Sequence, residues 1–308
     1  MTNDRFSIPG RMVAAIASTV AVASCLLGSP AFAGDPFRET NPRSIGDVSE
    51  NAFRALFEKG DYQRSAGYLD EAESKEPDEP LVYAMQSAFA YLEEDWDDLN
   101  RYASQTRETA EALIGSDPLR GNLYAAVGHF LEGAYIISKE GTVRGTPKAL
   151  NKLQKVFRYL GEAEKIAETD PELNLIKGFM DLMLAVNLPF ADPAEAIARL
   201  QNHAGPDYLA YRGLAVGYRD TDQHEAALGA VNQAMQLTPD NPELYYLKAQ
   251  IQVEKGNDLK DLALLQEAQA NFDAAWAQAS DKFPKGLMRQ LQKERDRNAR
   301  RIQSMSQQ

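Results

Sequence analysis

Between Tyr208 and Pro239 the chain reads YLAYRGLAVGYRDTDQHEAALGAVNQAMQLTP, with small and bulky residues spaced as a pair of closely packed antiparallel helices requires. Counting Tyr208 as position 1, Tyr211 falls at 4, Leu214 at 7, Ala215 at 8, Tyr218 at 11, Ala227 at 20, Val231 at 24, Ala234 at 27 and Pro239 at 32. Small side chains let two helix backbones approach, and bulky ones fill the space beside the crossing. Ala215, Ala227 and Ala234 serve the first purpose; Tyr211, Leu214, Tyr218 and Val231 serve the second. Helices this short are marginal alone in water, so a chain built from them must stack pair upon pair.

The set of positions resembles the tetratricopeptide-repeat superfamily, with Ala215 where glycine is usual. The resemblance implies an all-α, right-handed α-solenoid whose concave side is lined by positions 2, 5, 9, 12 and 13 of each first helix. In the best repeat these include Leu209, Arg212, Val216 and Arg219; in the next, Tyr246 and Gln250; in the second, Leu81 and Tyr91. A lining that mixes aromatic, apolar and charged groups suits an extended peptide or a partner helix. The chaperone-binding branch of the superfamily grips a terminal carboxylate with Lys and Asn. Arg212 and Val216 stand at the corresponding positions, so that activity is not carried over.

Helix-opening prolines set the length of each unit. Pro80, Pro118, Pro171, Pro206 and Pro242 are 35 to 38 residues apart except for 53 residues between Pro118 and Pro171. The surplus reads as an insertion: two long helices near 118–139 and 147–169 joined by a loop at 138–145, with Thr146 as cap and Pro147 as first helical residue. Asp192 with Glu195, and Asp222 with Glu225, have capping-box spacing. The repeats span 46–283, about five to six helix pairs. Residues 284–308 hold seven Lys or Arg against Glu294 and Asp296. With Leu287, Met288, Leu291 and Ile302 they form a basic amphipathic C-terminal helix, either capping the stack or touching an anionic membrane surface or acidic partner.

Residues 1–33 have the three parts of a secretory signal: Arg5 and Arg11, the apolar run Met12 to Leu27, then Ala31-Phe32-Ala33. Cleavage would leave Gly34 first, and residues 34–45 read as a flexible tether. An alternative is lipidation of Cys25, which follows Val22-Ala23-Ser24 and would make the protein an envelope assembly factor. No later stretch is apolar enough to span a bilayer. Removing residues 1–33 takes away Arg5, Arg11 and Asp4, so the net charge moves from −12 to −13. Nucleic acid would be repelled by most of such a surface.

Little in the chain points to chemistry. His129, His203 and His224 lie in different repeats without partners at metal-ligand spacing, and the acidic run Glu93 to Asp98 lacks the glycine and terminal Glu of a calcium loop. No phosphate loop or nucleophile elbow is present. The expectation is therefore a non-enzymatic protein-interaction scaffold or adaptor, without metal or cofactor. An enzyme or small-molecule binder using the 118–170 insertion stays open as an alternative. The signal, the irregular middle unit and the basic end are together similar to a family of exported cyanobacterial repeat proteins, which implies the periplasm or thylakoid lumen.

Overall fold

A computed structural model describes residues 34–38, 40–187 and 193–307. The signal stretch, Cys25 and the Asp192 cap lie outside the described residues. Those described are all-helical, with twelve α-helices and no strand. They run α1 (Asp47–Phe53), extended by a π-helical turn at Arg54–Glu58, α2 (Tyr62–Lys75), α3 (Pro80–Leu92), α4 (Trp96–Leu113), α5 (Pro118–Ala167) and α6 (Pro171–Asn187). They continue with α7 (Pro193–Asn202), α8 (Asp207–Asp220), α9 (His224–Leu237), α10 (Pro242–Leu259), α11 (Leu262–Ala279) and α12 (Lys285–Met305).

Most starts are written in side-chain chemistry. The first N–H groups of a helix have no intrahelical acceptor, and an Asp, Asn or Glu just upstream supplies one. Asp61 accepts from the Arg64 N–H at 2.9 Å, Asp95 from Asp98 at 3.0 Å, Asp117 from Arg120 at 3.1 Å and Asn241 from Glu243 at 3.0 Å. Pro80, Pro118 and Pro242 take the first helical turn, where a missing N–H costs nothing. Two expected starts differ. Pro206 sits one residue before α8 rather than inside it. Asp222 adopts φ 61° in the turn, so α9 begins at His224 without a side-chain cap.

Each helix packs chiefly on its chain neighbours, α3 on α4, α6 on α7, α8 on α9, α10 on α11 and α11 on α12. Ala215, Ala227 and Ala234 are fully buried, as crossings of α8 and its neighbours require. In the first pair Ser65 replaces the expected alanine, and its hydroxyl donates to the Ala52 carbonyl at 2.8 Å. Gly128 on α5 lies so close to α4 that a Cβ there would stand 2.6 Å from the Arg107 nitrogen. Only glycine permits that approach.

The insertion is a helical hairpin. Within α5 the backbone breaks at Gly141, φ 76° and ψ 163°, a conformation essentially confined to glycine. Two arms, 118–140 and 142–167, fold back on each other, with Lys148 on Glu140 at 2.6 Å and the His129 ring stacked on Tyr159 at 5.6 Å. The second arm starts at Thr142 rather than at Pro147. A Cβ at Gly145 would stand 3.0 Å from the Ile136 carbonyl, so the two arms lie close there.

Residues 34–38 and 40–45 do not hang free as a tether. Asp35 and Phe37 are buried, Phe37 meets Phe53 with ring centroids 5.9 Å apart, and Arg38 is held by Asp170 and Glu172 at the start of α6. The two ends of the helical stack also meet. The Asn241 side chain ahead of α10 donates to the Phe57 carbonyl at 2.9 Å, and the Gln63 N–H donates to the Lys282 carbonyl at 3.2 Å. Tyr62 stands edge-on to Phe283 at 5.7 Å. Beyond these contacts α12 lies along α11, buried through Leu287, Leu291 and Asn298. The Asn298 amide donates to the Leu265 carbonyl at 2.8 Å.

Candidate partner-binding face

The eight residues expected to line an open groove do not present an open surface. Leu81, Tyr91, Leu209, Arg212, Val216, Arg219 and Tyr246 are buried, and Gln250 is half-buried. The polar ones find partners within the fold. Arg212 pairs with Glu243 of the next first helix, and Tyr62 lies against the same pair. Burial, and then the Glu243 carboxylate, push the Tyr62 hydroxyl well above its usual range. Arg219 donates to Asp220 at 2.9 Å and to the side-chain Oε1 of Gln250 at 3.1 Å, while the Gln250 side-chain amide donates to Glu294 of α12 at 2.9 Å.

The physical reason lies in the closure. Here α2 and α12 bring Tyr62 beside Arg212 and Glu243, and Glu294 beside Gln250, so these side chains are covered. The structure thus joins Arg212 to Tyr62 and Glu243, and Arg219, Tyr246 and Gln250 to Glu294. It keeps Leu81 and Tyr91, on α3, in the core cluster of that part of the fold. Tyr246 packs on Phe272 at 6.0 Å, and burial followed by the Glu294 charge raises its hydroxyl pKa well above the ordinary value.

Two ionic clusters escaped the sequence reading. In the first, Arg38 bonds Asp35 at 2.6 Å, Asp170 at 2.6 Å and Glu172 at 3.0 Å. Glu172 also accepts from Arg120 at 3.2 Å and from the Tyr124 hydroxyl at 2.8 Å, and Arg120 reaches Glu79 at 2.8 Å. Although burial works against its charge, Arg120 and Arg38 hold the Glu172 carboxyl below its usual range; for Asp170 burial wins and the pKa rises. Arg43 bonds Asp117 at 2.7 Å. A signal for this cluster was present: Glu79, Asp117 and Asp170 each precede a helix-opening proline, and each meets an arginine. What hid it was separation in sequence.

The second cluster ties the hairpin to α4. Glu132 accepts from Arg107 at 3.0 Å, from Lys152 and from His129, whose Nδ1 lies 2.9 Å away. Burial alone would raise the Glu132 pKa, but His129, Lys152 and Arg107 bring it down to about 2. His129 is thus a buried structural group; His203 is exposed, and His224 is half-buried with Nε2 2.9 Å from Asp258. Among the described residues no group of three or more His, Cys, Asp or Glu is placed to hold a metal ion. The acidic run Glu93 to Asp98 is the α3–α4 turn, with Asp95 capping α4.

Two surface depressions lie between the N-terminal segment and the base of the hairpin, where Arg120 and Ala167 help to line them. One runs between Ser44, Glu76 and Asp117, the other between Arg38, Arg43 and Thr169, and both open widely to solvent. Among the described residues no helix is long and apolar enough to cross a membrane. Compared with known proteins, the chain matches no family model and no curated protein.

Proposed function

We propose that this chain is an exported, non-enzymatic adaptor, a right-handed tetratricopeptide-type α-solenoid that binds a protein partner in the periplasm or thylakoid lumen. The observation that carries the reading is the run of consecutive helix pairs with fully buried alanines at the crossings around α8. Such a frame presents long helix faces at fixed spacing, and proteins built this way use those faces to hold other chains. The solenoid is tight enough for its first and last pairs to touch. Its partner therefore reaches faces outside the buried Arg212, Arg219 and Tyr246.

Two measurements test this. Mass spectrometry of the protein from its native envelope should give Gly34 as first residue; a lipidated Cys25 would replace the free adaptor with an anchored one, and an unprocessed chain would remove the exported location. Affinity capture from the same envelope, with a C-terminal tag on the full chain, should return a protein partner at constant ratio. Capture of nothing above a tag-only control would overturn the adaptor reading.

A further inference from the structure

The outer arm of the hairpin, 142–167, carries a surface that the fold does not use. Val143, Leu150 and Phe157 are 91%, 45% and 50% exposed. They recur every seven residues, which is close to two turns of helix, so they stand in single file along the arm over about 21 Å. The uncharged Pro147, Gln154 and Gly161 fall in the gaps of the same file. A Cβ at Gly161 would meet no atom within 4 Å. The opposite side of the arm is the packed one: Gly145, Val156, Leu160 and Ala163 are buried. The exposed file is thus a second face of an already seated helix, not a core face left uncovered.

Charge makes this face distinct. From Thr142 to Arg158 the chain holds Arg144, Lys148, Lys152, Lys155 and Arg158 and neither Asp nor Glu, within a protein of net charge −12. Lys148 is neutralised by Glu140 and Lys152 by Glu132. Among the described residues Arg144, Lys155 and Arg158 have no ion pair, and the Arg158 guanidinium rests over the Tyr159 ring at 4.5 Å. At 3.6 residues per turn these three project on one flank, roughly 60–120° round the helix from the apolar file.

We propose that this arm docks an acidic amphipathic helix of a partner protein, along Val143, Leu150 and Phe157 with carboxylates beside Arg144, Lys155 and Arg158. The inference rests on the adaptor reading and names its partner by chemistry. A single file at seven-residue spacing is the seam of a helix pair, with Gly161 admitting a close crossing. A helix that lies in a lipid surface instead presents a broad apolar face. A second copy set on the same file would bring two basic flanks together, where like charges repel. Acid beside an apolar seam is what the arm complements.

The test uses the full chain and two labelled synthetic 21-residue helices, both with Leu at the seam positions, one flanked by Glu and the other by Lys. Fluorescence anisotropy should show the Glu helix binding at least tenfold tighter than the Lys helix. Both Leu150→Ser/Phe157→Ser and Arg144→Glu/Lys155→Glu/Arg158→Glu should weaken it at least tenfold, with circular dichroism unchanged because all five sites are exposed. Equal binding of the two helices, binding of neither, or binding untouched by either variant overturns the proposal. So does sedimentation with phosphatidylglycerol vesicles, or self-association in sedimentation velocity, if the Leu150/Phe157 variant abolishes it while the Glu helix does not bind. Failure here with a partner still captured from the envelope removes the arm alone; an empty capture removes the adaptor reading.

Discussion

Replacing Arg38 by Met would show how firmly the N-terminal segment is held. Met keeps much of the apolar stem and removes the guanidinium, so the change isolates the charge. In the folded protein that guanidinium faces three carboxylates whose side chains are almost dry: Asp35 and Glu172 at 0% exposure and Asp170 at 6%. Removing one partner from a buried ion pair costs about 3–5 kcal/mol, because the charge left behind stays uncompensated. Glu172 keeps Arg120 and Tyr124, and Asp170 keeps the Leu173 N–H, which puts the expectation near the lower end, about 3 kcal/mol. Urea unfolding followed by circular dichroism at pH 7 should register that loss. Combining the change with Asp170→Asn should recover part of it, with a coupling of about 1–3 kcal/mol. In the variant Asp170 loses the Arg38 charge that opposes the effect of burial, so its carboxyl, already raised, takes up a proton more readily than in the unfolded chain. The part of the deficit that Asp170 causes is therefore complete above its raised pKa and shrinks as the pH falls through it. Moderate salt should leave it nearly unchanged, since screening acts on exposed charges. A loss below about 0.5 kcal/mol, in the range of ordinary surface substitutions, would refute the reasoning and return residues 34–45 to the status of a loose tether.

Three further outcomes follow from single contacts. Glu132 titrates near 2 in the folded state, below its unfolded value, so its contribution is present above the unfolded pKa of 4.5 and is lost as the pH falls toward 2. Glu132→Gln should lower stability at pH 7 by roughly 1–3 kcal/mol and flatten that acid limb of the denaturant midpoint. Gly141→Ala should cost roughly 1–3 kcal/mol through backbone conformation alone, because no atom lies within 4 Å of the new Cβ; differential scanning calorimetry of the full chain would read it. Asn241→Leu removes both the cap of α10 and the bond to the Phe57 carbonyl, and should cost about 2–3 kcal/mol. Hydrogen exchange should then quicken at the α1–α2 turn, far from residue 241 in sequence; unchanged exchange there would argue against closure of the stack.

Local order was legible because its causes are local. Asp61, Asp95, Asp117 and Asn241 supply the first N–H groups of the helices that follow them, though Asp222 does not, and Pro80, Pro118 and Pro242 sit in the first turn for reasons of one dihedral and one missing donor. Small residues at fixed intervals could be read for the same reason: Ala215, Ala227 and Ala234 are small because another backbone passes there, and they are buried. The break in the long insertion was expected within a few residues, but its position was not. Gly145 looked like loop punctuation and lies instead inside the second arm, which starts five residues before Pro147, close to the Ile136 carbonyl.

What a linear pattern could not carry was which surfaces meet when the stack curves back on itself. The resemblance gave positions 2, 5, 9, 12 and 13 as an open lining, but whether a helix face is open or covered depends on which distant helices come to lie on it. Here Tyr62 lies on Arg212 and Glu243, and Glu294 on Gln250, so that part of the expected lining is covered. Arg38 and Arg43, from a segment with no helical period, likewise meet the acids that precede Pro171 and Pro118. Their attraction depends on a distance that sequence separation does not encode. The sequence thus determined helices, caps and crossings, which need only neighbours within a turn or two. Tertiary structure decided which faces remained free, because contacts between helices distant in sequence cover some of them.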